Sequence, residues 1–482
     1  MRRVSAFLLL AAVLTGGNIA YCGTVDPPYE VGTWRGFRSA AVTYTFDDQC
    51  SKQFSVALPM FNSYGYKMTF YPVINWGPPW SSLQTAASQG HEVGSHTMSH
   101  PSNLGTMSIE DQTYELVQSQ NSINSHIPGN QCRTISYPNC NPSNQTLTAT
   151  YYIAGRICSG ALVSATPSNF YQISSIICGS QGSVNSTASF ISKFTTAASQ
   201  NKWCVFLIHG IDNDGGWSPL SSTILNGSLQ YLDANRDIFW EATFLNVVKY
   251  IKERNNVSVS EISSTSEAVT VSVTDILDDG IYDYPVTIRR PLPAGWSSAA
   301  ASQDGQPIDS SIVEVSSVKY IMFDAVPDCC DVVLTKVLAV PESLTASAGC
   351  ATVALDWDDV NDSNLAGYNV YRSASSGGGY GALNGSLLSS SNYEDANIPH
   401  DTTFYYVVTA VDTNSAETGY SNEVFGGLYG DFTGNGIVEM NDLSVFLDLW
   451  PVTDCNATAG VDLNDDCTVN FSEFSVLADN WQ

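Results

Sequence analysis

Between residues 38 and 255, short apolar runs of strand character alternate with stretches of helical period, and this alternation restricts that part of the chain to an α/β architecture. Residues 39–46, 67–74, 134–137 and 203–208 read as buried strands bounded by turn residues. Ser108 stands as an N-cap ahead of Glu110 and Asp111, and Tyr114, Leu116 and Val117 continue a helical stretch. Residues 243–254 read as a closing amphipathic helix with Phe244, Val247, Val248 and Ile251 on one face. Repeated strand–helix units of this kind predict a distorted (β/α) barrel with its functional loops at the strand ends.

Beyond this region the texture changes, so the chain is expected to be multidomain. Residues 257–338 adopt a period of two and read as a β-sandwich region whose role the sequence does not disclose. Residues 340–425 form a second all-β unit, and residues 428–482 a compact acidic double motif. At the amino terminus, Arg2 and Arg3 precede an apolar run over residues 6–14, which predicts a signal peptide over residues 1–22 and a secreted, extracellular protein. Lipid anchoring through Cys22 is the less favoured outcome, because Tyr21 sits where a small residue is expected. No later apolar run reaches the ~20 residues of a spanning helix, so no transmembrane segment is expected. The 19 Lys+Arg against 47 Asp+Glu give a net charge of −28, which argues against nucleic acid as a partner and suits cations and neutral substrates. None of the 12 Cys has CxxC spacing, so a thiolate zinc site is not expected; Cys132/Cys140 and Cys455/Cys467 are close enough in sequence to pair, with connectivity open.

The chemistry concentrates in a few places. Asp47 and Asp48 end the first strand, where adjacent carboxylates can divide the work of cation ligand and base. Three of the 6 His fall within residues 90–100, and His96 and His100 are four apart, a spacing that on a helical turn places both imidazoles on one face to hold a divalent ion. His91 has the wrong spacing for that face and reads as structural. His209 follows the strand at 203–208, and Tyr137-Pro138-Asn139 forms a turn whose backbone N–H groups could serve an oxyanion.

Together these pieces resemble the polysaccharide deacetylases with the NodB homology domain, the family four carbohydrate esterases. Thr45-Phe46-Asp47-Asp48 resembles their first motif, His96-Thr97-Met98-Ser99-His100 the second and Leu207-Ile208-His209 the last; Trp240-Glu241-Ala242-Thr243 with Tyr250 is similar to a tail common in the family. The resemblance implies Asp47 as general base, Asp48, His96 and His100 as ligands of a divalent metal (zinc first, cobalt or nickel also suited), His209 as general acid, and Leu207, Tyr137 and Pro138 around the acetyl pocket, with the Asn139 N–H at the oxyanion. The third motif departs from the common pattern, since Ser136 stands where the family usually has an Arg that orients the catalytic Asp; Arg156 is the candidate replacement. The implied activity is metal-dependent removal of acetyl groups from a polysaccharide, N-acetylglucosamine-type substrates favoured. An acetylxylan-type O-deacetylase and a catalytically inactive carbohydrate-binding barrel are the rivals.

Residues 340–425 resemble a fibronectin type III domain, through Trp357, Tyr368-Asn369-Val370-Tyr371-Arg372 and the run at 405–412. In the terminal motif Asp431, Thr433, Asn435, Ile437, Glu439 and Asp442 have calcium-loop spacing, and Asp462, Asn464, Asp466, Thr468, Asn470 and Glu473 repeat it. This duplication resembles a type I dockerin, a small α-helical module, and implies bound calcium and a cohesin-bearing scaffold protein as partner. Cys467 takes the place usually held by Gly in the second loop.

Overall fold

The computed structural model of the chain describes residues 23–348, 352–396, 398, 404–426, 430, 432–433, 438–453, 461, 467–479 and 481. The expected leader at residues 1–22 lies outside the described residues.

The strand Ala40–Asp47 pairs in parallel with Met68–Tyr71 on one side and Lys202–Ile208 on the other. Met68–Tyr71 is parallel to Glu92–Val93, and a bridge from Ser95 to Ile135 leads to Thr134–Ser136, itself parallel to Ala154–Arg156. A bridge from Arg156 to Ile173 then leads to Ile176–Ile177, which is parallel to Lys202–Ile208. These contacts close a ring of parallel strands, with single bridges at the seams where regular pairing lapses: a barrel, and a distorted one. Helices Leu58–Tyr64, Trp80–Ser88, Ile109–His126, Gln145–Tyr151, Thr187–Ser199 and Ser222–Asp233 intervene along the chain. The Ser108 hydroxyl accepts a hydrogen bond from the Asp111 N–H at 3.1 Å and so starts Ile109–His126, as its N-cap position dictates.

The pleat sets what faces the lumen. Ala40, Val42, Tyr44 and Phe46 join the apolar shell under the helices, whereas Thr43, Thr45 and Asp47 alternate onto the other face. By the same alternation Phe206 and Ile208 pack in that shell, and Leu207 between them belongs to neither the shell nor the core beneath the barrel.

The base of the barrel is fused to the next domain. The closing helix Phe244–Asn256, capped by Thr243, shares one core with Trp34, Trp203, Trp240, Val257, Val269, Val286, Ile288 and Phe323. That domain is a sandwich of a five-stranded sheet built on Ser258–Ser264, Ala268–Thr274 and Val332–Val337 and a four-stranded sheet built on Val286–Pro291 and Val318–Ala325. The strand Glu30–Val31 edges the second sheet, pairing antiparallel with Val286–Pro291, so the segment ahead of the barrel belongs to this sandwich. Two residues are too few for a period to show in the sequence.

Among the described residues of 340–426 two antiparallel sheets form, Thr345–Ala348, Thr352–Asp356 and Asn392–Ala396 in one, and Gly381–Ala382, Leu365–Ser373, Phe404–Asp412 and Val424–Gly426 in the other. Trp357 is buried between them against Tyr368. In the terminal region, helices Met440–Asp448 and Phe471–Asp479 flank a small core of Val438, Phe446, Val461, Val469 and Leu477. Among the described residues no helix is long and apolar enough to cross a membrane.

The structure decides one pairing that the sequence left open. Cys140 pairs with Cys158, and Cys132 is a free thiol. Cys132 is buried in the barrel's apolar shell, whereas Cys140 stands at the Pro138 turn with its Cα 5.5 Å from that of Cys158. The bridge closes a loop with a sequence separation of 18, for which chain entropy suggests about 3 kcal/mol of stabilisation. Replacing Cys140 and Cys158 together by Ser is expected to lower the unfolding free energy by about that amount in urea denaturation. An unchanged midpoint would show the bridge to be energetically idle. Cys467 is disulfide-bonded, while Cys455 lies outside the described residues.

Candidate metal and catalytic site

Asp47, 3% exposed, leaves the first strand on the lumen face, and Asp48 turns away from it with φ +69°. The Gln53 amide donates to the carbonyls of Asp47 at 2.6 Å and His209 at 3.0 Å, tying two neighbouring strand ends together.

The stretch from His96 to His100 is not helical, contrary to the expectation from spacing. It is an irregular bend with φ +68° at Thr97 and +58° at His100. A helix is unavailable because Glu115, 4% exposed on the helix Ile109–His126, captures the bend: its carboxylate accepts from the Met98 N–H and Ser99 N–H at 2.9 Å each and from the Ser99 hydroxyl at 2.6 Å. The two imidazoles nevertheless converge, with ring centroids 4.8 Å apart. The sequence reading missed Glu115, although an acidic residue beside Leu116 on the buried stripe of an amphipathic helix was a usable signal.

His96 Nδ1 donates to the Ser136 carbonyl at 2.7 Å, which turns the Nε2 lone pair towards Asp48. Asp48 Oδ1 lies 3.6 Å from His96 Nε2 and 3.8 Å from His100 Nε2, and it is buried without a hydrogen-bond donor. Ligand atoms around a tetrahedral ion with bonds of about 2.1 Å stand about 3.4 Å apart. Two nitrogens and one carboxylate oxygen, all within 4.8 Å of one another, therefore fit a divalent transition metal. Burial pushes His96 down to about 4 and lowers His100, so both rings are neutral, as ligands must be. Burial and the adjacent Asp47 push Asp48 up to about 7, the direction that a bound cation would reverse.

Asp47 is held by Arg156 and Ser136. The Arg156 guanidinium donates to Asp47 Oδ2 at 2.5 Å, the Ser136 hydroxyl donates to the same oxygen at 3.0 Å, and Arg156 also bonds Ser136 and, at 2.8 Å, Ser175. Burial alone would raise the Asp47 carboxyl; Arg156, helped by His96 and His209, holds it below the usual carboxylate range. Asp47 Oδ1 is buried and receives no hydrogen bond. One oxygen of an ionised carboxylate is thus clamped and the other is free to accept a proton.

His209 Nε2 lies 3.7 Å from Asp48 Oδ2, its Nδ1 is buried without a partner, and burial lowers its pKa. Asn139 adopts φ +52°, and the turn's hydrogen bonds run from the Cys140 and Asn141 N–H groups to Tyr137 and Pro138, outside which the Asn139 N–H remains. Leu207 is buried next to Thr45 in register. Tyr137 is elsewhere than expected: its ring sits in the apolar shell against Gly155, and its hydroxyl donates to Thr148 at 3.3 Å, so it walls no pocket; Pro138 is buried with it. The small Gly155 opens the gap that draws the ring inward. His91 is structural as read, accepting from the Met68 N–H at Nδ1 and bonding Asn62 through Nε2. Two half-exposed aromatics went unnoticed in the sequence, Trp76 at 5.0 Å from His100 and Trp217 at 4.8 Å from His209, centroid to centroid.

The deciding comparison covers this part of the chain. Residues 36–153 match the polysaccharide deacetylase family. The deacetylase-like domain thus carries the first, second and third motifs inside the matched segment, with Arg156 and His209 beyond it. Among curated proteins, a gellan lyase from Bacillus sp is 25% identical over 319 residues, 62% of this chain and 13% of that protein, so the chain spans about an eighth of its length. Among solved structures, a family 4 carbohydrate esterase from Streptomyces lividans in complex with acetate is 16% identical, with 42% of this chain and 91% of that one covered and a TM-score of 0.29. An Fn3-like protein from Clostridium thermocellum is 35% identical, covering 18% of this chain and 91% of that one, with a TM-score of 0.17.

Of the terminal calcium-loop residues, Asp431, Asn435, Ile437, Asp462, Asn464 and Asp466 lie outside the described residues. Asp442 is buried and accepts from the Thr433 N–H, the Thr433 hydroxyl and the Glu439 N–H, each at 2.8 Å. Glu473 accepts from the Asn470 N–H at 2.8 Å while its Oε1 is buried without a donor, Thr468 lies just upstream, and Cys467 adopts φ +64° as its turn position demands.

Proposed function

We propose that this chain is a secreted, metal-dependent hydrolase that removes acetyl groups from a polysaccharide, with N-acetylglucosamine-type substrates favoured. The observation that carries the reading is the division of labour between two adjacent carboxylates, Asp47 clamped by Arg156 and Ser136, and Asp48 facing His96 and His100. Asp48, His96 and His100 would hold zinc or a similar ion, which when bound polarises an acetyl carbonyl and acidifies water. Asp47 takes the proton of the attacking water at Oδ1, while Arg156 keeps the carboxylate ionised and oriented. The Asn139 N–H donates to the developing oxyanion, and Leu207 excludes water from the acetyl methyl. His209 protonates the departing amine; the Asp47 charge favours its imidazolium form against the burial that opposes it. Trp76 and Trp217 offer apolar faces on which sugar rings can stack.

In this reading residues 340–425 are a fibronectin type III spacer, and the terminal pair of loops is a calcium-binding dockerin that docks the enzyme to a cohesin-bearing scaffold. The buried Glu473 Oε1, which has no donor, supports it.

Acetate release is expected from chitin oligomers, in preference to peptidoglycan and acetylated xylan, to disappear with chelator and to return with added zinc. Preferential release from xylan would reassign the enzyme as an O-deacetylase. No release from any of the three, with metal loaded, would leave an inactive carbohydrate-binding barrel.

A further inference from the structure

The turn that follows the strand Thr134–Ser136 starts beside the reacting groups, because Ser136 bonds Asp47 through its hydroxyl and His96 through its carbonyl. Pro138 fixes one φ of this turn, and the next two residues, Asn139 and Cys140, both take left-handed backbone, with φ +52° and +58°. Asn visits that region readily. A disulfide-bonded Cys does not, since its Cβ crowds the following carbonyl and it has no polar side-chain group to offset the clash. The hydrogen bonds of the turn run from the Cys140 N–H to the Tyr137 carbonyl at 3.1 Å and from the Asn141 N–H to the Pro138 carbonyl at 3.0 Å, and neither reaches beyond it. Left-handed backbone of this kind persists where the surroundings over-determine it.

Cys158 supplies that constraint. It lies just past Arg156 on the neighbouring parallel strand Ala154–Arg156, with its Cα 5.5 Å from that of Cys140. Its own segment is anchored on both sides. The Ile157 N–H donates to the Ile173 carbonyl at 2.8 Å, the Gly160 N–H to the Ser175 carbonyl at 3.0 Å, and the Ser175 hydroxyl to the Ile157 carbonyl at 2.7 Å. The bridge therefore ties a turn in costly backbone, with Asn139 exposed at its tip, to a segment that is fixed by other means.

We propose that the Cys140–Cys158 disulfide is a positioning group for catalysis, which holds the Asn139 N–H where the oxyanion develops. This inference rests on the deacetylase reading, in which that N–H is the oxyanion donor. Without the bridge, Cys140 relaxes out of the left-handed region and turns the Asn139 N–H away. The metal ligands stay in place, because the Ser136 carbonyl orients His96 and Glu115 holds the bend up to His100. Turnover thus depends on a disulfide that persists in an oxidising compartment.

The test compares three full-length, zinc-loaded proteins: the native chain, Cys140→Ser with Cys158→Ser, and Cys140→Gly with Cys158→Ser. Acetate release is followed on chitin oligomers or acetylated xylan, whichever the native chain cleaves faster, and zinc retained after dialysis is measured alongside. The Ser pair is expected to keep its zinc and to lose kcat by about tenfold or more, towards the 10²–10³-fold that removing an oxyanion donor costs. Gly takes a positive φ without a clash, so the Gly variant is expected to recover most of that loss although the bridge is still absent. A bridge that only stabilised the fold would leave the kcat of the folded Ser pair untouched. Undiminished kcat in a zinc-bound Ser pair, or a Gly variant as slow as the Ser pair, would overturn the positioning role. A Ser pair that no longer retains zinc would also overturn it, by making the bridge a staple of the whole site rather than of the turn. A native chain that releases no acetate would remove the deacetylase reading itself, and this inference with it.

Discussion

Asp48→Asn or His96→Ala is expected to reduce deacetylation by about 10³-fold or more, the equivalent of the several kcal/mol that a Lewis-acid ion supplies to such a reaction. Two readouts should move together. Zinc bound after dialysis should fall below one equivalent, and the residual rate should no longer respond to chelator. For Asp48→Asn in the metal-free protein, stability should respond in the opposite way to activity. Asp48 is pushed up to about 7 by burial and by Asp47, so a neutral amide removes a like-charge contact at little structural cost. A variant that lost activity but retained full zinc affinity would refute the assignment of Asp48 and His96 as ligands.

Arg156→Ala is expected to have the largest effect on stability. Arg156 and Asp47 are 2% and 3% exposed, and removing one partner of a buried, hydrogen-bonded ion pair costs about 3–5 kcal/mol. The sign of its pH dependence follows from Asp47. In the native chain its carboxyl is held below the unfolded value of about 3.9, so it stabilises the fold at neutral pH and that contribution is lost as pH falls through the depressed native pKa. Without Arg156, burial dominates and raises the Asp47 pKa above the unfolded value. The variant should then lose stability as pH rises from about 4 towards its raised pKa. Urea midpoints of the two proteins should therefore differ most near pH 7 and approach each other near pH 4. Turnover should fall as well, with the acid limb of the rate profile displaced upward, because the base is protonated over a wider range. Arg156→Lys should recover part of the stability and less of the turnover, since an ammonium cannot bond Asp47, Ser136 and Ser175 in one plane. Equal midpoint differences at both pH values would refute the pairing as the source of the effect.

Much of the site was legible because it is carried by local pattern. The lumen position of Asp47 follows from the pleat of a strand buried at every position, and the proximity of His96 and His100 from four-residue spacing. The reason given for that proximity was wrong, however. A helical turn and a bend stapled by Glu115 both bring residues four apart together, and only the bend leaves Met98 and Ser99 N–H groups for a carboxylate from a distant helix. Arg156 was suspected because the expected Arg was missing at Ser136, yet its partnership with Asp47 spans 109 positions in the chain. Tyr137 was misjudged because its direction depends on the space above Gly155, which no periodicity encodes. The cysteine connectivity stayed open in the sequence for the same reason: Cys132 and Cys140 are near enough to pair, and it was barrel closure that brought Cys158 to Cys140.

Alternating hydrophobic periods, turn residues and charge balance are properties of neighbouring residues, and so the chain by itself determined where the longer strands and helices form, that several domains follow one another, and which side chains could do chemistry. Pairings between distant segments depend on how the barrel closes and on which sheet accepts Glu30–Val31. Tertiary structure alone therefore decided that Arg156 clamps Asp47, that Cys140 meets Cys158, and that Glu30–Val31 edges the sheet of the neighbouring domain.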